Sequence, residues 1–308
     1  MPTTTPAPIL LTALGSGDSN VSRLVADALL DAGHRVRVMI HTDDGRADPL
    51  RARGADVEVG DLTNPQDVAT ALRDVRRAFF NMAVSTDYLE AAATFCSVAR
   101  EQAPLEALVN LSQMTVSQMT ATSTSESRQQ RQHWLAERVM DWSGLPVVHV
   151  RPTVFLDNPL FTLLPREPLA RSGVLALPIG EGKTSPVAAA DVGRVVASVL
   201  SDPAGHVGHV YELTGPAALD LAGLAAAYSR ALHRPVRPAD LPQDELTRQL
   251  AHVAGIPAHV VQHILTVAEL HRANRYDRLT STVEDLTGRA PESVEHFLAA
   301  HRALFEPG

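Results

Sequence analysis

Strand-like and helix-like segments alternate through the first 150 residues, and this alternation constrains the fold more than any other feature of the chain. Short apolar runs predict strands, and the segments between them carry apolar residues at helical spacing. The strands are predicted over residues 9–14, 35–40, 57–59, 78–82, 105–111 and 147–150. The helices are predicted over residues 20–32, 64–72, 86–101 and 125–142. Repeated strand–helix–strand units predict an α/β fold: a doubly wound parallel sheet with helices on both faces.

The sequence changes character after Pro152, where proline-rich stretches and shorter elements begin. Strands are predicted over residues 174–177 and 210–213, and helices over 191–200, 219–232, 244–254, 258–273 and 293–305. We therefore divide the chain into a core, residues 1–152, and a smaller, mainly helical region, residues 153–308, that packs on the core and contributes in part to its sheet. Open α/β sheets bind ligands beyond the carboxyl ends of their strands, so the second region is expected to cover a substrate pocket there.

Composition excludes several classes of protein. A formal net charge of −8 disfavours a nucleic-acid-binding surface, which needs clustered Lys and Arg. The sequence contains no uninterrupted apolar run of about 18 residues, so no membrane span is predicted. The single cysteine, Cys96, cannot form a disulfide within the chain, which is consistent with a reducing cytoplasm. We expect a cytoplasmic monomer or homodimer that acts on a small molecule.

The turn after the first strand contains two glycines, Gly15 and Gly17. Dinucleotide-binding folds use glycines there for a tight turn, for close approach of the pyrophosphate and for helix–strand contact. This turn is degenerate, because Asn20 replaces the third glycine of a Gly-x-Gly-x-x-Gly pattern. In the alternative Gly-x-x-Gly-x-x-Gly register, Ser16, Ser19 and Ser22 replace all three glycines.

Two interpretations of this turn stay open. In the first, backbone N–H groups of Ser19, Asn20 and Val21 cradle a pyrophosphate at the start of the helix. In the second, Ser19 or Asn20 only caps the helix. Asp18 favours the second, because it puts a negative charge where a phosphate would bind.

Several segments, taken together and in order, resemble the NmrA-like family of atypical short-chain dehydrogenases/reductases. They are Asp31-Ala-Gly-His-Arg-Val-Arg-Val, Gly54-Ala-Asp-Val-Glu-Val-Gly-Asp-Leu-Thr, Val109-Asn-Leu-Ser-Gln, Arg131-Gln-His-Trp-Leu-Ala-Glu, Asp141-Trp-Ser-Gly-Leu-Pro, Val150-Arg-Pro-Thr, Tyr211-Glu-Leu-Thr-Gly-Pro and Leu286-Thr-Gly-Arg-Ala-Pro. The resemblance spans almost the whole chain. It implies a Rossmann-like, NAD(P)-binding fold in a family that contains NAD(P)H-dependent reductases of quinones and dyes and also non-catalytic redox sensors.

The resemblance also implies which residues contact the cofactor. These are Gly15, Gly17, Ser19, Asn20, Val21, His41, Asp61, Leu62, Asn81 and Met82. NADP-using relatives tend to carry an Arg after the second strand, where this chain reads His41-Thr-Asp-Asp-Gly-Arg. Asp43 and Asp44 would repel a 2′-phosphate but could hold a ribose 2′-hydroxyl, whereas Arg46 could restore some attraction. The cofactor is therefore expected to be NADP or NAD.

The catalytic candidates are Ser112 and His133. Ser112 follows the fifth strand, where this superfamily places the hydroxyl that polarises a carbonyl. Gln129 and His133 occupy the positions of the superfamily's Tyr-x-x-x-Lys pair. His133 suits proton transfer near neutral pH, and Glu137, four residues later, either relays that proton or has a structural role, which we favour.

Further residues are assigned by their place after predicted strands or on the long helix. The substrate pocket is predicted to be lined by Ala83, Gln113, Phe155 and Asn158. Trp134 and Trp142 are expected to pack the long helix against the sheet.

The function predicted from these observations is hydride transfer from NAD(P)H to a quinone-like or polycyclic small molecule. The main alternative is a cofactor-independent cyclase, isomerase or dehydratase on the same scaffold, with His133 as the proton-transfer group. The second alternative is a sensor of nucleotides or metabolites without catalysis.

Overall fold

The computed structural model describes residues 6–15, 20–252 and 255–305. Its strands are β1 (Ile9–Thr12), β2 (Val36–Ile40), β3 (Asp56–Val59), β4 (Arg77–Phe80), β5 (Ala107–Leu111), β6 (Val147–Pro152), β7 (Val174–Leu177), β8 (Val210–Leu213) and β9 (Arg237–Asp240). Its α-helices are α1 (Val21–Asp31), α2 (Asp48–Ala52), α3 (Pro65–Ala71), α4 (Tyr88–Gln102), α5 (Arg128–Ser143), α6 (Pro159–Thr162), α7 (Arg166–Ser172), α8 (Ala189–Ser201), α9 (Leu221–Leu232), α10 (Gln243–Ala251), α11 (Ala258–Arg272), α12 (Thr282–Thr287) and α13 (Val294–Ala300). Short 3₁₀ helices cover Met114–Gln118 and Arg302–Phe305.

Seven of these strands form one sheet in the order β3-β2-β1-β4-β5-β6-β8. The pairs from β3 to β6 are parallel. The hydrogen bonds of β8 advance in step with those of β6, from His149 N to His209 O and from Thr153 N to Leu213 O, so β8 is parallel as well. The strand order reverses between β1 and β4, which is the point where open α/β sheets bind ligands. The predicted α/β, doubly wound parallel sheet is confirmed.

Local sequence signals explain where the main helices begin and end. Asn20 and Asn64 cap α1 and α3, each accepting a hydrogen bond from a backbone N–H of the first turn. Ser127 and Gln130 form a capping box at the start of α5: the Ser127 hydroxyl accepts from Gln130 N, and the Gln130 amide oxygen accepts from Ser127 N. Gly144, with φ of 72°, follows the last residue of α5 and ends the helix.

The contacts divide the chain into two compact units. The first unit comprises residues 1–113, 132–151 and 192–211, and the second comprises 114–131, 152–191 and 212–308. The chain leaves the first unit for the second between residues 151 and 152. This crossing lies next to the predicted division after residue 152.

The first unit is built on the parallel sheet and on aliphatic and aromatic packing against it. One core cluster joins strand residues such as Leu10, Phe80 and Leu108 to the inner faces of α3, α4 and α5, and it includes the buried Cys96. Gly193 of α8 lies so close to Leu24 of α1 that an added Cβ would be 2.9 Å from the Leu24 Cβ.

The second unit has its own core and its own small sheet, in which β7 and β9 pair in parallel. Its core gathers buried residues of α9, α13 and β7 around Tyr228, whose hydroxyl donates a 2.6 Å hydrogen bond to Phe161 O. Within the described residues, we find no helix with the length and apolar character needed to cross a membrane.

Candidate functional site

A cleft of about 550 Å³ opens at the carboxyl ends of β1, β2 and β4. It therefore lies at the reversal of strand order where nucleotides are expected. The cleft is lined by Ala13, Leu14, Gly15, Asn20, Ile40, His41, Thr42, Arg46, Asn81, Met82, Ala83 and Ser85. Among these described lining residues there is one arginine, Arg46, which is paired with Asp44, together with one histidine and no carboxylate, so the lining side chains themselves carry no negative charge.

Asn81 ties the walls of the cleft together. Its backbone N–H donates to Thr12 Oγ1 at 2.9 Å, and Thr12 Oγ1 donates to Asn81 O at 2.7 Å. Its side-chain amide donates to Ser22 Oγ at 2.9 Å, and Ser22 Oγ donates to Thr12 O at 2.9 Å. Asn81, which follows β4, thus binds β1 through its backbone and the start of α1 through its side chain, and it also lines the cleft.

Ser22 explains how the degenerate turn keeps its helix–strand contact. The third glycine of the usual pattern allows the helix to approach the strand closely. Here Ser22 is fully buried, and its hydroxyl meets the main chain of Thr12 by a hydrogen bond. The Ser22 side chain thus lies between α1 and β1 and joins them by this hydrogen bond.

The backbone turns sharply where it leaves β1. Ala13 has φ of 54°, in the left-handed region that L residues rarely adopt. Such strain of roughly 1–3 kcal/mol is concentrated at functional sites. A Cβ added to Gly15 would collide with the Asn20 side-chain amide, so Gly15 leaves room for the residue that caps α1. The predicted residues Gly17 and Ser19, like Asp18 and Ser16, lie outside the described residues.

The acidic residues after β2 are paired with arginines. Asp43 accepts hydrogen bonds from Arg51, and Asp44 accepts them from Arg46 Nε at 2.7 and 2.9 Å. The hydrogen bonds from Arg51 and Arg46 lower the pKa of both carboxyls, that of Asp44 to about 2. The repulsion of a 2′-phosphate that we inferred from Asp43 and Asp44 is therefore offset, and Arg46 lines the cleft.

His41, Asp61 and Leu62 follow β2 and β3. Asp61 accepts hydrogen bonds from the N–H and hydroxyl of Thr63, both at 2.8 Å, and these lower the pKa of its carboxyl, with a smaller electrostatic effect from His41. Leu62 is buried in the core cluster beneath the sheet edge. His41 lines the cleft, whereas cofactor contacts of Asp61 and Leu62 stay predictions.

A buried ion pair lies beneath the predicted catalytic residues. Glu137 of α5 has no exposed surface, and its two carboxylate oxygens accept hydrogen bonds from Arg151 of β6, with 2.9 Å between Nε and Oε1. Burial would raise the pKa of Glu137, but the hydrogen bonds from Arg151 and the electrostatic effect of His149 hold it below its usual value. This arrangement supports the structural role that we favoured for Glu137.

Ser112 lies beside this pair at the end of β5. It is 4% exposed, and its Oγ makes no hydrogen bond of standard geometry with a described residue. The hydroxyl is nevertheless close enough to help lower the pKa of Glu137. A buried hydroxyl without a full partner is costly in a structural role and is available to a ligand oxygen.

A second pair of buried polar side chains lies on β5 and β6, two residues before Ser112 and Arg151. Asn110 and His149 face each other across β5 and β6, with 3.0 Å between Asn110 Nδ2 and His149 Nδ1. His149 Nε2 lies 3.0 Å from Asp141 Oδ1 on α5. Glu137 and Asp141 of the helix thus bind the alternate residues Arg151 and His149 of the strand, which fixes the rotation of α5.

His133 lies on the same helix, one turn before Glu137. Its Nδ1 is 3.1 Å from the hydroxyl of Tyr88, the first residue of α4, and the two rings meet edge to face at 5.0 Å. The preceding residue, Gln132, donates a 2.7 Å hydrogen bond to the carbonyl of Ser85, which lines the cleft. The start of α5 is therefore held against the segment that leads away from the cleft.

The remaining predicted residues are divided between the two units. Met82 and Ala83 line the cleft, Val21 begins α1, and Gln113 follows Ser112. In the second unit, Phe155 forms a single bridge to Val187, and Asn158 caps α6 through a hydrogen bond from Leu160 N. The substrate-pocket assignments of Ala83, Gln113, Phe155 and Asn158 stay predictions.

The sequence analysis missed part of the site. Ala13, Leu14, Ile40, Thr42 and Ser85 also line the cleft. Ala13, Leu14 and Ile40 end predicted strands, and Thr42 and Ser85 follow predicted strands by two and three residues, so the residues at and just after strand ends were the available signal. The sequence did not indicate a role for Tyr88 in the site, because an aromatic residue at this place in the pattern is also typical of the core.

The family model of the NmrA-like family matches residues 15–298. The chain belongs to the NmrA-like family. This match covers both units and confirms the family resemblance inferred from the sequence segments.

Two characterised relatives align over nearly their whole length. The chain is 28% identical to the NAD(P)H azoreductase of Xenophilus azovorans, over 94% of this chain and 96% of that protein. It is 32% identical to the (4-alkanoyl-5-oxo-2,5-dihydrofuran-3-yl)methyl phosphate reductase of Streptomyces griseus, over 93% of this chain and 96% of that protein. Among solved structures, the NADPH-dependent quinone oxidoreductase of Escherichia coli with bound NADPH has the same fold, with a TM-score of 0.80, 20% identity and coverage of 96% and 99%.

Proposed function

We propose that this NmrA-like protein is an NAD(P)H-dependent reductase of a quinone-like or polycyclic small molecule. The observation that carries the proposal is the cleft at the reversal of strand order, with Arg46 and no carboxylate among its described lining residues. The names of the two relatives, an NAD(P)H azoreductase and a (dihydrofuranyl)methyl phosphate reductase, support a reductase, and the fold of the quinone oxidoreductase supports the same placement of a coenzyme.

The cleft residues fit a dinucleotide. The start of α1 offers backbone N–H groups and the positive end of a helix dipole to a pyrophosphate. Gly15 and Asn20 would lie along the phosphates, His41 and Arg46 along the adenosine ribose, and Asn81 and Met82 towards the nicotinamide. When bound, NAD(P)H supplies the hydride.

The chain's own contribution to the reaction is orientation of the acceptor. Ser112 Oγ is a buried hydroxyl without a full partner, and it would donate a hydrogen bond to an acceptor oxygen as negative charge develops there. His133 would present a second polar contact to the acceptor. The pair Glu137–Arg151 would hold α5, and with it His133, in register with the end of β5.

The cofactor-independent reaction and the sensor differ from this proposal in measurable ways. A cofactor-independent enzyme would act without NAD(P)H, and a sensor would bind it without turnover. The cleft disfavours the cofactor-independent reaction, because its lining residues suit a nucleotide. The buried hydroxyl of Ser112, which has no hydrogen bond of standard geometry, favours a reductase over a sensor.

We expect Ser112→Ala to lower kcat roughly 10-fold to 100-fold, because it removes one hydrogen-bond donor to the developing charge. The measurement is oxidation of NADPH and NADH with menadione or an azo dye as acceptor. The matched control is Ser97→Ala, whose exposed hydroxyl donates only to Ala93 O within α4. Equal kcat in the two variants would contradict the role of Ser112, and absence of turnover with every acceptor and both coenzymes would contradict the proposed function.

A further inference from the structure

We propose that Tyr88 is a positioning residue that fixes the proton of neutral His133 on Nε2, so that His133 acts as a hydrogen-bond donor and not as a base. The inference rests on the proposed reductase function for the part that His133 has in the reaction. It deepens that function by assigning a role to a residue that no sequence motif indicates.

The geometry holds the two side chains in one arrangement. Tyr88 has no exposed surface and packs edge to face on Phe80, with 6.0 Å between ring centroids. Its hydroxyl therefore stays at 3.1 Å from His133 Nδ1. On the other side, the hydrogen bond from Gln132 to Ser85 O fixes the start of α5 to the segment that precedes Tyr88.

The direction of the hydrogen bond follows from the cost of an unpaired phenol proton. Burial raises the pKa of Tyr88 far above its usual value, and the charge of Glu137 adds to the effect, so the phenol keeps its proton. That proton needs an acceptor in the interior, and His133 Nδ1 is in position to accept it. If Nδ1 carried a proton instead, it would donate to the phenol oxygen and leave the phenol proton without this acceptor.

The charged groups nearby do not change this assignment. Glu137, one turn along α5, has both oxygens engaged by Arg151, and Arg138 lies 3.4 Å from the same carboxylate. With Nδ1 as the acceptor, the neutral ring carries its proton on Nε2.

The consequence concerns the chemistry that His133 can perform. The lone pair of the neutral ring is on Nδ1 and is engaged by Tyr88, so Nε2 has none with which to take a proton from a substrate. An oxygen that meets Nε2 meets an N–H donor, which polarises a carbonyl without transfer of a proton. The proposed role differs from the general acid–base role predicted from the sequence, and it disfavours a cofactor-independent reaction with His133 as the base.

The direct test is ¹⁵N NMR of the histidine rings in the wild-type protein. We expect the neutral His133 ring to carry its proton on Nε2, with the Nδ1 resonance shifted as in a hydrogen-bonded acceptor. Tyr88→Phe should move that Nδ1 resonance. The matched control is Tyr211→Phe, which removes the 2.7 Å contact between Tyr211 OH and His206 Nδ1 and should leave the His133 signals unchanged. A proton on Nδ1 of neutral His133 in the wild type would overturn the proposal.

Kinetics give a second, independent readout. Tyr88→Phe should lower kcat about 10-fold at unchanged KM for the coenzyme, the scale of one neutral hydrogen bond. His133→Gln, whose amide nitrogen can take the place of Nε2, should retain more activity than His133→Asn, whose amide nitrogen takes the place of Nδ1. The reverse order would overturn the donor role. If no coenzyme is turned over at all, the proposed function fails, and the NMR result still decides the assignment to Tyr88.

Discussion

Glu137→Leu is expected to reduce the free energy of unfolding by about 3–5 kcal/mol, because it removes the carboxylate that pairs with the largely buried Arg151 guanidinium. Glu137 has no exposed surface and Arg151 is 12% exposed, so water cannot replace the lost carboxylate. The measurement is urea unfolding at neutral pH, which gives the free energy and its denaturant slope together.

The double variant Glu137→Leu with Arg151→Met distinguishes the cost of breaking the ion pair from the net contribution of the intact pair to stability. Replacing both partners by apolar residues of similar size is expected to be close to neutral. The exposed pair Glu167–Arg171 of α7 provides the control, since Glu167→Ala should cost less than about 1 kcal/mol. A loss below about 1 kcal/mol in Glu137→Leu would contradict a structural role for this ion pair.

Acidification from pH 6.5 to about 4 is expected to destabilise the fold by roughly 3 kcal/mol for each of two histidines, the fully buried His271 and the partly buried His263. Burial lowers the pKa of His263 to about 4 and that of His271 to about 4. Each histidine stays neutral in the fold at a pH where the unfolded chain has already bound a proton. The contribution of the two histidines to the free energy of unfolding is therefore complete above pH 6.5 and is lost as the pH falls towards 4.

The measurement is the slope of the unfolding free energy against pH between 4.5 and 6. In the wild type the slope should correspond to nearly two protons bound on unfolding, and in His271→Gln to about one proton fewer. His259→Gln changes an exposed histidine and should leave the slope unaltered. An equal slope in wild type and His271→Gln would show that burial of His271 is not linked to stability.

The strand and helix pattern could be predicted from the sequence because most elements carry their own signal. The strands Val174–Leu177 and Val210–Leu213 have the predicted bounds, and the helix predicted from residue 64 begins at Pro65 with Asn64 as its cap. Strand β9, Arg-Pro-Ala-Asp, was missed, because it has no alternation of apolar residues and forms through its pairing with β7. The expectation that Trp142 packs on the sheet is wrong: its side chain is 77% exposed, since the last turn of α5 places it outward.

The candidate site was less predictable, because its decisive contacts join distant residues. The sequence places Asp44 near a phosphate site but does not show that Arg46 binds its carboxylate. It places Ser22 at a former glycine but does not show the hydrogen bond to Thr12 O that restores the helix–strand contact. Tyr88 and His133 are 45 residues apart, and only the packing of α4 on α5 brings them together.

The central claim is that the cleft at the ends of β1, β2 and β4 binds NAD(P)H, and calorimetric titration of the purified protein with NADPH and NADH tests it most directly. We expect a micromolar Kd for at least one coenzyme. Ala83→Trp, which places an indole on an exposed part of the cleft wall, should weaken that binding at least about 10-fold by steric exclusion at unchanged Tm. Ala204→Trp, at an exposed position outside the cleft lining, should bind as the wild type does. Failure of both coenzymes to bind at millimolar concentration, or equal Kd values for Ala83→Trp and wild type, would contradict the account.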